Sequence, residues 1–185
     1  MRIAVSGTHF SGKSTLVTSL LKELPNYISV DEPYVLLEQE GYECGDPPIL
    51  EDFEQHFERS IAVIQESQNN TIFDRCPLDC LAYALAVTED STFGETFDIE
   101  SWIQKMEDTI QRLDLIIFIP IEYRDRIPLP ASEDLKLRVS VDEKLQEMMF
   151  EDSLAVLKTI KVLEVTGSLQ ERVREVKSQI IDAKP

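Results

Sequence analysis

Apolar positions along the chain fall into short continuous runs separated by longer stretches that repeat every three or four residues, the signature of buried strands alternating with amphipathic helices. Ile3-Ala4-Val5-Ser6 is the first run, and Leu16, Val17, Leu20, Leu21 and Leu24 then mark one face of a helix that Pro25-Asn26 stops. A second strand is expected from Tyr27 to Asp31, followed after Pro33 by a short helix from Val35 to Glu40 ending at Gly41. Asp46 and Pro47 read as the cap and first-turn proline of a long helix from Ile49 to Gln68, with Phe53, Phe57, Ile61 and Ile64 inward. Thr71-Ile72-Phe73 predicts a third strand, Leu78 to Val87 a helix, and Glu89 to Phe97 a mobile loop. Asp98 reads as the cap of a helix from Ile99 to Leu113, and Leu115 to Ile119 as a fourth buried strand. From Glu122 to Val139 the periodicity lapses, with Pro128 and Pro130 among Arg124, Arg126 and Arg138, which predicts an arginine-bearing flap. Ser140 and Glu143 have capping-box spacing for a helix reaching Thr159, Val162 to Val165 is a fifth strand, and Ser168 with Glu171 repeats the capping box for a last helix ending near Asp182. The alternation predicts an α/β fold, a parallel sheet covered by helices on both faces, in one domain without internal repeats.

Between the first strand and the first helix stand Gly7, Thr8, His9, Phe10, Ser11, Gly12, Lys13 and Ser14. This is the spacing of a phosphate cradle: two glycines turn the loop, backbone N–H groups at the helix start face the turn, Lys13 reaches the β- and γ-phosphates, and the Ser14 hydroxyl is offered to Mg²⁺. Chance would produce the pattern in roughly one chain of this length in a hundred, and the strand before it and helix after it reduce that further.

Length and a 43% hydrophobic content suit a single core. No apolar run is long enough to cross a bilayer and no basic leader precedes one, so a cytoplasmic protein without a membrane partner is expected. The three cysteines lack the His or Cys neighbours of a structural zinc site and are expected to pack. A net charge of −17 excludes an extended nucleic-acid surface, which needs clustered Lys and Arg. It leaves room for a small anion, because screening limits the reach of distant carboxylates to about 8 Å at physiological salt. The oligomeric state is not fixed by the sequence, and a homodimer is compatible with it.

Ligands of open α/β sheets lie beyond the carboxyl ends of the strands, so residues at those ends should converge. They are the phosphate loop, Asp31-Glu32-Pro33, Asp74-Arg75 and Thr166-Gly167-Ser168. Transfer of a γ-phosphoryl group needs neutralised phosphates, a metal, an aligned acceptor and cations that follow the developing charge. Lys13 and the loop amides meet the first need, Ser14 and Asp74 the second; flap arginines such as Arg138 can close over the group in flight, and Glu32 can take a proton from an acceptor hydroxyl. The structural alternatives are that Asp31 and Glu32 cap the helix after Pro33, that Asp74 caps the next helix while Arg75 makes a local ion pair, and that the flap arginines are solvated. His9 either stacks on the nucleotide or fills the loop. His56 and Gln55 border the acceptor side or lie on the surface, and Trp102 is expected to pack.

The phosphate loop, the Asp31-Glu32-Pro33 and Asp74-Arg75 strand ends, the segments Pro77-Leu78-Asp79 and Leu81-Ala82-Tyr83, and an arginine-bearing flap together resemble the P-loop small-molecule kinases. The nearest forms are compact P-loop ATPase domains similar to nicotinamide riboside kinase, with deoxynucleoside and thymidylate kinases more distant. The resemblance implies a three-layer P-loop NTPase fold with strand order 2-3-1-4-5, ATP and Mg²⁺ as cofactors, and phosphorylation of a small hydroxyl- or phosphate-bearing acceptor such as a nucleoside or nucleotide. It implies Lys13, Glu32, Asp74, Arg75 and Arg138 as catalytic residues, with Glu32 as base and Asp74 with Arg75 as the acidic-plus-arginine element. Gly7 to Thr15 would bind the nucleotide, and Thr166 and Gly167 would lie beside adenine. The competing reading is a nucleotide-binding regulatory ATPase acting on a protein partner.

Overall fold

The computed structural model describes residues 1–45, 48–89, 97–122 and 127–182. Its elements in chain order are β1 (Arg2–Ser6), α1 (Lys13–Glu23), β2 (Ile28–Val30), α2 (Pro33–Gln39), α3 (Leu50–Glu66), β3 (Thr71–Asp74), α4 (Pro77–Glu89), α5 (Ile99–Ile110), β4 (Leu115–Phe118), α6 (Leu135–Phe150), β5 (Lys161–Glu164) and α7 (Leu169–Asp182). The strands form one parallel sheet in the order β2-β3-β1-β4-β5. The order and the covering of both faces are those expected. No described helix is long and apolar enough to cross a membrane.

The apolar runs are continuous because the sheet has a core on each side, and successive residues of a strand enter opposite ones. Ala4, Phe73, Ile116 and Phe118 point into the larger core with α3, α4, α5 and α6, where Phe57, Leu81, Met106 and Leu145 are buried. Ile3, Val5, Ile72, Leu115 and Ile117 point the other way, against Leu16 and Leu20 of α1 and Val176 and Ile180 of α7. Trp102 packs as expected, its ring stacked 4.1 Å from that of Phe57. Cys76 and Cys80 are buried thiols; Cys44 is half-buried with its Sγ 3.3 Å from His56 Nε2.

Two capping expectations hold. The Asp98 carboxylate accepts from the Ser101 N–H at 3.2 Å, and Glu171 Oε2 accepts from both the Ser168 N–H (2.7 Å) and its hydroxyl (2.6 Å). The expected Asp46-Pro47 cap lies outside the described residues; Asp52, three residues into α3, accepts from the Ile49 N–H at 2.8 Å.

One helix is corrected at both ends. Ser140 does not start α6: the helix begins at Leu135, capped by Asp134, whose Oδ1 accepts from the N–H groups of Lys136 and Leu137 at 3.0 Å each. It also ends at Phe150 rather than near Thr159, because Asp152 turns left-handed at φ 45° and its side chain takes up the N–H groups of Val156 and Leu157 at 3.1 Å. Arg138 therefore stands on a helix, not on a flap. Arg124, Arg126 and most of the loop expected before Phe97 lie outside the described residues.

Candidate active site

The turn from β1 to α1 needs glycine at both ends. A Cβ on Gly7, whose φ is +147°, would lie 2.6 Å from the Ile119 carbonyl oxygen, and Gly12 enters the helix through a left-handed φ of +94°. Around the turn, cations from four elements hold carbonyl oxygens. Arg75 Nη1 donates to Gly7 O (3.2 Å), Lys13 Nζ to Thr8 O (2.8 Å), Arg138 Nε to His9 O (3.0 Å) and Arg172 Nη1 to Ser11 O (2.8 Å). A planar trans peptide points its N–H opposite its carbonyl. The Thr8–His9 peptide is held from both sides in this way, its carbonyl by Lys13 and its N–H by the Tyr83 hydroxyl, and the first N–H groups of α1 lack intrahelical acceptors where the loop meets the helix. The arrangement fits an anion. Lys13 is buried within it, and desolvation, then the Arg75 charge, lower its pKa to about 8.

Asp74 ends β3 beside this cradle and is buried; burial raises its pKa, opposed by a hydrogen bond from Ser14 and the charge of Lys13. Its Oδ1 is buried without a hydrogen-bond partner among the described residues. An unsatisfied carboxylate oxygen next to a serine hydroxyl fits Mg²⁺, which takes hard oxygen donors and leaves its other positions to water and phosphate. Asp74 does not cap α4: Asp79 does, its Oδ2 accepting from the Cys76 N–H at 3.0 Å while Oδ1 accepts from the Gly7 N–H at 3.1 Å.

Arg75 is held at φ +81°, a strained conformation for a non-glycine residue. That turn sends its side chain across the sheet end, where Nε donates to Glu32 Oε2 at 2.7 Å and Nη1 lies 3.6 Å from Asp79. Burial opposes the Arg75 charge, but Tyr83, Asp79 and Glu32 outweigh it and raise its pKa. Burial likewise pushes the Glu32 pKa up, and the Arg75 charge and hydrogen bond pull it below the usual carboxylate value. Glu32 is therefore an ionised carboxylate, and although it precedes α2 its side chain makes no cap.

Glu32 and Arg75 line a cavity of about 590 Å³ together with His9, Tyr34, Phe53, His56 and Tyr83. It opens from the phosphate loop toward α3. His56 belongs to it, whereas Gln55 faces a separate recess between α3 and α5. On the other side of the loop a cavity of about 170 Å³ is lined by Phe10, Gly12, Thr15, Glu122, Arg138, Gly167 and Arg172. Gly167 thus reaches the loop; Thr166 is exposed and does not line that cavity.

The structure gathers Lys13, Glu32, Asp74, Arg75 and Arg138 around one loop. It adds Asp79, Tyr83, Glu122 and Arg172, for which the residues alone suggested no role. Tyr83 accepts from the His9 N–H at 3.0 Å, and Arg172 ties Ser11 O, Gly167 O (3.1 Å) and Glu122 Oε1 (2.7 Å) together. Asp79 and Tyr83 stand in segments that contributed to the family resemblance. Nothing in the pattern singles out Arg172, which shares its helix with other charged residues.

A family model described as an AAA domain matches residues 2–172, nearly the whole chain. The chain belongs to the AAA domain family. No curated protein matches its sequence. Among solved structures, this AAA domain is similar to deoxyadenosine kinase from M. mycoides with bound dATP (TM-score 0.69, 15% identity, covering 98% of this chain and 100% of that one). It is also similar to thymidylate kinase from Candida albicans (TM-score 0.65, 15% identity, 98% and 91%) and to the YorR protein of Bacillus subtilis in complex with phosphorylated GDP (TM-score 0.58, 16% identity, 98% and 96%). Identities this low speak for the fold, and the fold is that of compact P-loop nucleotide kinases.

Proposed function

We propose that this AAA domain is a phosphotransferase that moves the γ-phosphoryl group of ATP to a hydroxyl of a small nucleoside- or nucleotide-like metabolite. The observation that carries this reading is the ionised Glu32 in the wall of a cavity that opens onto the phosphate loop, positioned by a strained Arg75. Loop amides and Lys13 would hold the phosphates. Bound Mg²⁺, held by Ser14 and Asp74, would neutralise phosphate charge. In the transfer step the acceptor oxygen bonds to the γ-phosphorus as its bond to the β–γ bridging oxygen breaks, ADP leaves, and the hydroxyl proton passes to Glu32. Arg75 and Arg138, which donate to carbonyls of the loop, would follow the charge that develops on the phosphoryl oxygens. The kinases named above lend support, since deoxyadenosine and thymidylate kinases carry this chain trace over nearly its full length.

The family description favours a second reading, an ATPase that drives a protein partner. A coupled ADP-release screen over nucleosides, nucleoside monophosphates and vitamin-like alcohols separates the two. The phosphotransferase reading expects release that depends on one acceptor class; equal release in the no-acceptor control overturns it in favour of the ATPase.

A further inference from the structure

His9 lies in the phosphate loop, yet its side chain faces the acceptor cavity rather than the recess beside Gly167. Its Nδ1 is 2.8 Å from the Tyr83 hydroxyl oxygen. That oxygen already accepts from the His9 N–H at 3.0 Å, so one of its lone pairs is taken and its own proton remains to be given to a neighbouring acceptor. The candidates are His9 Nδ1 at 2.8 Å and Thr8 Oγ1 at 3.4 Å, and the shorter contact wins. Nδ1 is then an acceptor, and in a neutral imidazole the proton sits on Nε2. Glu133 Oε1, 3.9 Å from Nδ1, is too distant to demand a proton there. The charged form is disfavoured as well: desolvation and the charges of Arg75, Lys13 and Arg138 outweigh Glu32 and lower the His9 pKa to about 4. Among the described residues Nε2 has no hydrogen-bond partner, and the side chain keeps 47% of its surface exposed.

We propose that Tyr83 locks His9 in the Nε2–H tautomer so that the loop presents an uncharged N–H to an oxygen of the acceptor, on the side of the cavity facing Glu32. This inference rests on the phosphotransferase reading and adds to it a residue that discriminates among acceptors. An imidazole N–H donates without competing for the phosphates, whereas an imidazolium would. Tyr83 is a positioning residue in this scheme, since it acts through His9.

The test has two arms. In ¹⁵N-labelled protein without ligand at pH 7, the imidazole of His9 should show an unprotonated Nδ1 and a protonated Nε2, and Tyr83→Phe should let the tautomers mix. A His9 that is charged, that carries its proton on Nδ1, or whose tautomer ignores Tyr83→Phe overturns the proposal. In the second arm, with deoxyadenosine as acceptor probe, or the acceptor found by ADP release if deoxyadenosine gives none, His9→Phe should raise the acceptor KM roughly 3- to 10-fold, the weight of one neutral hydrogen bond, and change the ATP KM by less. His9→Gln, which returns an N–H to that position, should restore it. Equal changes in both KM values, or no rescue by Gln, count against the proposal. If no acceptor is phosphorylated, the phosphotransferase reading itself falls, and the ligand-free NMR result still shows whether the lock exists.

Discussion

Lys13 is the buried cation on which the proposed phosphate site depends. Its pKa near 8 in the free protein means that the cation is present below that pH and lost above it, while a bound polyphosphate favours the charged form. ATP affinity should therefore hold steady from pH 6 to 7.5 and decline above about 8 by up to tenfold per pH unit, as expected when one proton is taken up on binding. Titration calorimetry across that range checks it, and a flat profile to pH 10 would place the phosphates away from Lys13. Lys13→Ala should abolish turnover and weaken ATP binding at every pH. Glu32→Gln should lower kcat by roughly 10²- to 10⁴-fold with ATP affinity kept, because the amide still accepts from Arg75 Nε but cannot take a proton. Equal loss of both would give Glu32 a structural role only. The place of Lys13 at the junction of loop and helix was legible in the sequence because it follows from spacing within eight residues. Tyr83 was not: its partner His9 is 74 residues away, and only the fold brings hydroxyl and imidazole together.

Helix α6 shows why element boundaries are read less securely than element types. Ser140 and Glu143 have capping-box spacing, yet they lie inside the helix, and the effective cap is Asp134. Leu135 and Val139 are exposed, so the first turn and a half offers no amphipathic signal to extend the helix back. At the other end the chain leaves the helix and passes through left-handed conformations at Asp152, Ala155 and Lys158 without a glycine to announce them. The correction matters for the site, because Arg138 occupies the first turn of α6 and reaches His9 O from there. Asp134→Ala should cost about 1 kcal/mol of stability, the usual worth of an N-cap, and slow turnover by loosening the turn that carries Arg138. Ser140→Ala should stay within about 0.5 kcal/mol. Chemical denaturation of the two variants compares them directly; a larger loss at Ser140 would restore the boundary read from the sequence.

Across the whole molecule, the alternation of strands and helices followed from the apolar periods, since a strand buried on both faces leaves a continuous run, and the sheet order from the likeness to P-loop kinases. The proposed acceptor cavity was less legible, as it is assembled from the phosphate loop, the ends of β2 and β3, α2, the segment between α2 and α3, α3, α4 and α6, each giving one to three residues of ordinary type. Charge is also a property of this scale. The chain has 35 acidic and 18 basic side chains, and the burial of Lys13, Arg138 and Arg172 is matched by that of Asp52, Asp74, Asp79 and Asp142, so the surface keeps essentially the whole net −17. Such a surface repels itself in the folded state. The screening length falls from about 30 Å at 0.01 M salt to about 8 Å at 0.15 M, which removes most of that repulsion. The same salt weakens exposed pairs such as Arg59–Glu40 and Lys177–Glu23, but each of those contributes only about 0–1 kcal/mol. Repulsion among many unpaired carboxylates should dominate, so the melting temperature should rise as sodium chloride goes from 0.01 to 0.15 M, a range in which ion-specific effects on water are small. A falling melting temperature would show that attractive pairs outweigh the net charge. Mg·ATP tests the local side of the same balance: its proposed contacts would sit among buried cations that salt screens less, so the added stability it confers should persist at 0.15 M.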